Sequence, residues 1–339
     1  MRHALITTTF LLLFLFVSFK SNAQNDSYTV YAALYKENNL ALISPEKGRI
    51  IQRIQVGRNP DYIAFNATKN RLYVSNTGEI TVSVVDIVSN KVINVHRLPV
   101  NRRGIYAGVM VASPDGKRMY VAERPDEPEP LRIYVLDTEK DRQVAQFNVG
   151  DNVNSMSVSH DGKKLFVVEK GKSITVYNTE TYATMGTVPL LEGLVDKVEN
   201  IACSPAEAKA FITYSNANKL QVISTDTYKT TAECEPDRHK TGTQRDIFVP
   251  NDGKYAFVIN DKDALKDVEG ILVYDVEKNE YIKIFNAGYV PRGMGVSDDE
   301  TRFFVASNYL KWYNMLTLEH IASMSLRTEI RGIQILKNK

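Results

Sequence analysis

Apolar and polar residues alternate along most of this chain in short runs, the period-two pattern of half-buried β-strands. Leu72-Tyr73-Val74-Ser75-Asn76 is the clearest run, and its register returns as Met119-Tyr120-Val121, Leu165-Phe166-Val167, Ala210-Phe211-Ile212, Ala256-Phe257-Val258 and Phe303-Phe304-Val305. The residues equivalent to Val74 follow one another at spacings of 47, 46, 45, 46 and 47, and Val30-Tyr31-Ala32 lies 42 residues upstream. A fixed period of this length marks seven copies of one supersecondary unit.

Each copy reads as four strands. A first strand leads into a polar turn, as in Ser113-Pro114-Asp115-Gly116-Lys117, Ser159-His160-Asp161-Gly162-Lys163 and Pro250-Asn251-Asp252-Gly253-Lys254. The Asp-Gly pair supplies the positive φ of a tight hairpin. After the second strand and a variable loop, a third strand ends at an Asp, Asn or Ser: Ser44, Asp86, Asp137, Asn178, Ser224, Asp275 and Asn314. Such side chains accept from nearby backbone amides and open the next turn. A fourth strand such as Lys91–Val95 completes the unit.

Four short antiparallel strands at this period predict an all-β, seven-bladed β-propeller. The termini support closure, because Glu329–Leu336 reads as a lone first strand and Tyr28–Gly57 as a second, third and fourth strand without a first. Pairing the C-terminal strand with the N-terminal three completes one blade and removes two open edges. Tyr73-Val74-Ser75-Asn76, the Asp-Gly-Lys turns and the Val-x-Asp strand ends resemble the YVTN-type seven-bladed propellers. That resemblance spans nearly all of the chain after its first residues. Its relatives include surface-layer proteins, lactonase-like propellers and amine dehydrogenase β-subunits, so it implies a fold rather than one chemistry.

Ahead of the repeats, Arg2 precedes an apolar stretch from Ala4 to Phe19, and Ser21-Asn22-Ala23 places small residues before Gln24. This predicts a secretory signal peptide over 1–23 with cleavage after Ala23. The remaining 24–339 is expected to be a single propeller, monomeric, secreted or periplasmic, with no membrane span. The whole chain has 42 Lys+Arg and 40 Asp+Glu, and cleavage takes Arg2 and Lys20 and no acids, leaving 40 of each sign. A neutral balance gives no global field toward nucleic acid.

Candidate chemistry lies at the channel mouth. Counting back from the end of each first strand gives a ring of Asp61, Gly108, Asn154, Glu199, Arg245, Arg292 and Arg331. Arginine forks suit carboxylate or phosphate, so Arg245, Arg292 and Arg331, with Asp61, Asn154 and Glu199, are the expected ligand-binding set. Glycine after Arg292 and Arg331 would thin the wall beside them. The competing reading has these arginines paired with Asp61, Glu199 and Asp246, plugging the channel.

A second ring reads Leu34, Asn76, Glu123, Glu169, Tyr214, Asn260 and Ser307. Its acids Glu123 and Glu169, with Glu199, are candidate metal ligands, although no motif specifies a metal and no cofactor is expected. The two cysteines lack a C-x-x-C-H haem motif. Cys203 on a first strand and Cys234 on a fourth strand of one blade stand too far apart for a disulfide. Trp312 is expected in blade packing, and the scattered histidines away from the mouth. Glu123–Pro130 and Asp261–Glu269 are expected as loops on the mouth face. These features point first to a non-catalytic propeller that binds a small anionic ligand or a protein partner. The alternatives are a lactonase- or lyase-like enzyme and a scaffold subunit of a redox complex.

Overall fold

The computed structural model of the protein describes residues 27–338 apart from 101–103, 127–130, 151, 171, 196, 216, 218, 236–242, 262–269, 286–290, 292, 308 and 327. The described residues form seven four-stranded antiparallel sheets. The chain opens with β1 (Tyr28–Leu34), β2 (Asn39–Ser44) and β3 (Arg49–Gln55). Blade 1 is β4 (Pro60–Asn66), β5 (Arg71–Asn76), β6 (Thr81–Asp86) and β7 (Lys91–Arg97). Blade 2 is β8 (Ile105–Ala112), β9 (Arg118–Pro125), β10 (Leu131–Asp137) and β11 (Arg142–Val149). Blade 3 is β12 (Val153–Val158), β13 (Lys164–Glu169), β14 (Ser173–Asn178) and β15 (Thr184–Thr187). Blade 4 is β16 (Val198–Cys203), β17 (Lys209–Tyr214), β18 (Leu220–Ser224) and β19 (Thr230–Cys234). Blade 5 is β20 (Thr243–Phe248), β21 (Tyr255–Asp261), β22 (Gly270–Asp275) and β23 (Glu280–Phe285). Blade 6 is β24 (Gly293–Val296), β25 (Arg302–Ala306), β26 (Tyr309–Asn314) and β27 (His320–Ser325), and β28 (Ile330–Lys337) ends the chain.

Blade 7 has the strand order β28-β1-β2-β3, so the last strand joins the first three as the sequence predicts. Its register runs from Tyr28 opposite Lys337 to Leu34 opposite Ile330. The closing strand is also apolar glue. Ile330, Ile333 and Ile335 pack with Val30 and with Phe304 and Trp312 of blade 6, while Leu336 joins Leu72 and Val74 of blade 1.

All seven third strands end at the residue expected of them, and the end residues cap the turns that follow. Asp137 Oδ1 accepts from the amides of Glu139 at 3.0 Å and Lys140 at 2.9 Å. Asn178, Asp275 and Asn314 make the same pair of bonds, and Ser224 does so through its hydroxyl. The polar turn after the first strand is equally regular. Ser113 Oγ donates to Asp115 Oδ1 and accepts from the Arg118 amide, and Gly116 then takes φ +68°. Gly162 and Gly253 occupy the same slot at +74° and +67°.

The middle strands are buried on both faces, and the fourth strands alternate exposed and covered residues, as in β7 and β11. Trp312 stacks on Phe304 of the neighbouring strand at 6.1 Å, inside the wall between blades 6 and 7. Cys203 on β16 and Cys234 on β19 are buried free thiols. Among the described residues no helix is long and apolar enough to cross a membrane. The expected signal peptide lies outside the described residues.

Candidate functional site

The counted ring corresponds to a structural device. In blades 1, 2, 3, 4, 5 and 7 the pairing of the first strand slips at that position, between Pro60 and Ile63, Ala107 and Met110, Val153 and Ser155, Val198 and Asn200, Gln244 and Asp246, and opposite Ala32 and Leu34. A β-bulge adds an unpaired residue and sharpens the local twist, which re-aims the wall toward the channel. Asn154 is exposed there and Glu199 half-buried. Arg245 lies on β20, but its side chain lies outside the described residues, as does the whole of Arg292.

Arg331 is the predicted arginine that the structure places fully. Its Nε and Nη2 reach Glu329 Oε1 at 2.8 and 2.7 Å, its Nη1 lies 3.9 Å from Asp61 Oδ2, and its guanidinium sits 4.5 Å over the Tyr35 ring. Burial alone would raise the Glu329 carboxyl, but Arg331 and Lys36 outweigh that and hold it below the usual carboxylate range.

A further participant is Arg124 of β9, which the ring of first-strand positions does not include. Its Nη1 stands 3.7 Å from the same Asp61 Oδ2. Blade 2 offers only Gly108 at the ring position, and a Cβ there would come within 3.2 Å of Arg124 Cβ and 3.0 Å of the Ala122 carbonyl. The glycine therefore leaves the space over which Arg124 crosses. Two guanidiniums from blades 2 and 7 converge on one carboxylate of blade 1, whose side chain is only 11% exposed. The two contacts are longer than hydrogen bonds, while the Arg124 side chain is 48% exposed.

Arg-Gly pairs have a sharper meaning than a thin wall. A Cβ on Gly332 would lie 2.5 Å from the Asp61 carbonyl, and one on Gly293 would lie 2.5 Å from the Arg331 carbonyl. The first strands of blades 6, 7 and 1 thus touch backbone to backbone, as only glycine allows.

One residue beyond the ring, a second tier appears that the counting missed. Ser155 hydrogen-bonds Asn200, whose Nδ2 donates to Asp246 Oδ1 at 2.6 Å, linking blades 3, 4 and 5 around the channel. The Ile247 amide donates to the same oxygen at 2.9 Å. Desolvation nevertheless dominates and pushes the Asp246 carboxyl up to about 6. Tyr62 of blade 1 occupies the same tier, raised to about 12 by burial first and by Asp61 second, and it feels the charges of Arg124, Asp246 and Arg331 as well. The plugged-channel reading is met halfway: among the described residues Arg331 pairs with Asp61, whereas Asp246 bonds to Asn200 and to backbone.

A carboxyl raised above its unfolded value of about 4 binds more protons when folded, so stability falls as pH climbs from about 4 through about 6. Asp246→Asn keeps an acceptor for Asn200 and removes the charge. Its expected effect at pH 7.5 is a stability higher by about 3 kcal/mol, seen as a raised melting temperature and vanishing at pH 4. Melting curves of both proteins at the two pH values check this, and a constant difference would contradict it.

The second ring turns into the blades. Glu123 is 1% exposed; its Oε1 accepts from the Tyr134 hydroxyl at 2.7 Å and its Oε2 from the Arg132 amide at 2.9 Å. Glu169 accepts from Thr175 at 2.8 Å, Tyr177 at 3.0 Å and the Gly150 amide at 3.0 Å. Asn76 donates to Thr81 and Ser83 in blade 1, and Tyr214 donates to Gln221 in blade 4. These polar groups tie second strands to third strands, and the structure does not bring Glu123 and Glu169 together. Among the described residues no group of three His, Cys, Asp or Glu could hold a metal ion. Glu123–Pro125 also belongs to β9 rather than to the expected loop, with Arg124 opposite Tyr106 and Pro125 opposite Ile105. Proline is tolerated at such a strand end. Asp261, expected to open the second loop, likewise ends β21, and residues 127–130 and 262–269 of the two expected loops lie outside the described residues. His96 lies on a fourth strand, 3.0 Å from Asp141 and away from the mouth.

No family model matches the sequence, and no curated protein sequence matches it. Solved structures do match its fold. A protein of unknown function from Desulfotomaculum acetoxidans aligns over 92% of this chain and 100% of its own, with TM-score 0.73 and 11% identity. Hydrazine synthase of Kuenenia stuttgartiensis aligns over 82% of this chain and 95% of its own, with TM-score 0.66 and 14% identity. The dihydro-heme d1 dehydrogenase NirN, in complex with DHE, aligns over 91% of this chain and 75% of its own, with TM-score 0.64 and 14% identity. At such identities the likeness is one of architecture: the chain is a closed seven-bladed β-propeller.

Proposed function

We propose that this protein is an exported, non-catalytic propeller of the YVTN type that binds a small carboxylate at the channel mouth, between Arg124 and Arg331. The observation that supports this is the convergence of two guanidiniums on Asp61 at 3.7 and 3.9 Å, beside the Tyr35 ring. Arginine forks bind carboxylates through paired N–H donors. Asp61 holds the two cations near one another in the free protein, and the loose contacts leave donors for a ligand. Arg245 and Arg292 belong to the same mouth by sequence and would extend the site toward blades 5 and 6.

The enzyme alternative would draw on Asp246, an acid raised toward neutrality one tier below the arginines. Loss of turnover in Asp246→Asn with unchanged ligand affinity would distinguish it from pure binding. The test of the main reading is calorimetric titration of residues 24–339 with mono-, di- and tricarboxylates, inorganic phosphate and divalent metals. A saturable carboxylate signal, weakened at least tenfold in Arg124→Ala/Arg331→Ala, is the expected result. Binding that is indifferent to the double substitution would refute the assignment.

A further inference from the structure

The far end of the channel holds a cavity of about 470 Å³, within the range of small-molecule sites. It opens where the first strands of blades 1, 5, 6 and 7 leave the pinch made by Gly293 and Gly332. Phe65, Phe248, Met294, Ile333 and Ile335 give it apolar walls from four blades. Among the described residues its charged lining residues are Asp298 and Glu300, and none is basic.

Glu300 is out of place by the rule of the repeat. It occupies the turn slot filled by Gly116, Gly162 and Gly253 in blades 2, 3 and 5, and it adopts φ +55° there. The surrounding turn is otherwise the same, with Ser297 Oγ donating to Asp299 Oδ1 at 2.7 Å and accepting from the Arg302 amide at 3.1 Å. A side chain in this left-handed conformation costs about 1 kcal/mol that glycine would not. At Gly253 a Cβ would press on Ala206 of the preceding blade's turn at 2.8 Å, which shows where the slot directs a side chain. The preceding turn for Glu300 is Pro250-Asn251, and both residues line the cavity with it. Glu300 Oε1 is buried and has no hydrogen-bond partner among the described residues. Asp299 is not available to the cavity in the same way, since Lys337, Thr301 and Tyr28 engage it.

We propose that this cavity is a second binding site, separate from the mouth, for a small apolar amine whose ammonium group pairs with Glu300 while its hydrocarbon part packs between Phe65 and Phe248. Glu300 lines the cavity and its carboxylate has an oxygen without a partner among the described residues, so an ammonium supplies both donor and countercharge. An anion is disfavoured by the two acids, and a neutral apolar molecule leaves the carboxylate unpaired.

The test uses residues 24–339 and 2-phenylethylamine, with 2-phenylethanol and phenylacetate as neutral and anionic analogues, followed by calorimetry. The expected result is saturable amine binding at least tenfold tighter than that of either analogue. Glu300→Gly restores the repeat's own residue, so it should fold with an unlowered melting temperature and lose amine affinity at least tenfold. Ala67→Trp, at an exposed lining residue, should block the cavity with the same loss. Arg124→Ala/Arg331→Ala should leave amine affinity unchanged. Equal binding of amine and alcohol, amine affinity retained in Glu300→Gly, or no saturable amine binding at millimolar concentration would each overturn the proposal.

Discussion

Removing residues 329–339 is expected to leave an aggregating chain without a cooperative melt. The deletion takes away the whole of β28, with Ile330, Ile333, Ile335 and Leu336 all less than 10% exposed in the intact protein. At roughly 1.5–3 kcal/mol for each buried aliphatic side chain, the four contribute an amount comparable to the full stability of a typical domain. The loss is also topological. β1, hydrogen-bonded on both sides in the ring, becomes an edge with Val30, Ala32 and Leu34 newly uncovered. Size-exclusion chromatography and melting of 24–328 beside 24–339 read this directly. A truncated monomer that melts at the original temperature would refute the closure.

The second large effect concerns a position with no side chain. Gly332→Val should destabilise the protein by about 3 kcal/mol or more, because the added atoms start 2.5 Å from the Asp61 carbonyl and 3.1 Å from the Ile63 amide nitrogen. Neither atom can swing away, since both belong to the backbone of β4 at its bulge. Gly48 provides the contrast. It has φ +58° with nothing within 4 Å of the point a Cβ would occupy, so Gly48→Ala should cost only the left-handed penalty of about 1 kcal/mol. Denaturant melts of the two variants check the pair, and equal effects would show that close approach of β28 and β4 does not matter.

These two predictions mark what kind of information the repeat contains. Blade number, strand order and closure were legible because the period, the Asp-Gly turns and the third-strand end residues are local signals that recur along the chain, and each is used for a local bond such as Asp137 to Lys140. The lining of the channel was only half legible. A bulge adds one residue without changing the alternation of the neighbouring text, so the tier of Ser155, Asn200 and Asp246 stood one position beyond the residues counted. Arg124 escaped because it comes from a second strand. Its signal was the gap at Gly108, readable only once the two strands are paired. Glu123 and Glu169 misled for the opposite reason. Their spacing resembles a rim, but their strand positions face the tyrosines of the third strands, Tyr134 and Tyr177, inside the blades. Burial, and then the adjacent carboxylate, raises both of those phenols, as befits donors held to a buried acid.

The mouth and the far cavity are two ends of one channel with opposite chemistry. Arginines from blades 2 and 7 meet at one end, and among the described residues acids without a base line the other. The glycine pinch of β24, β28 and β4 lies between the two ends along these strands. A ligand for one end should therefore not compete with a ligand for the other.

The measurement that bears most directly on the mouth assignment is a crystal structure of residues 24–339 soaked with 3-bromopropionate, located by the anomalous signal of bromine. The account predicts a carboxylate bridging Arg124 and Arg331 above Asp61, with the bromine beside Tyr35 and no peak there in Arg124→Ala/Arg331→Ala. Bromine peaks confined to other surface cations, with the Arg124–Asp61–Arg331 cluster unchanged and empty, would contradict it.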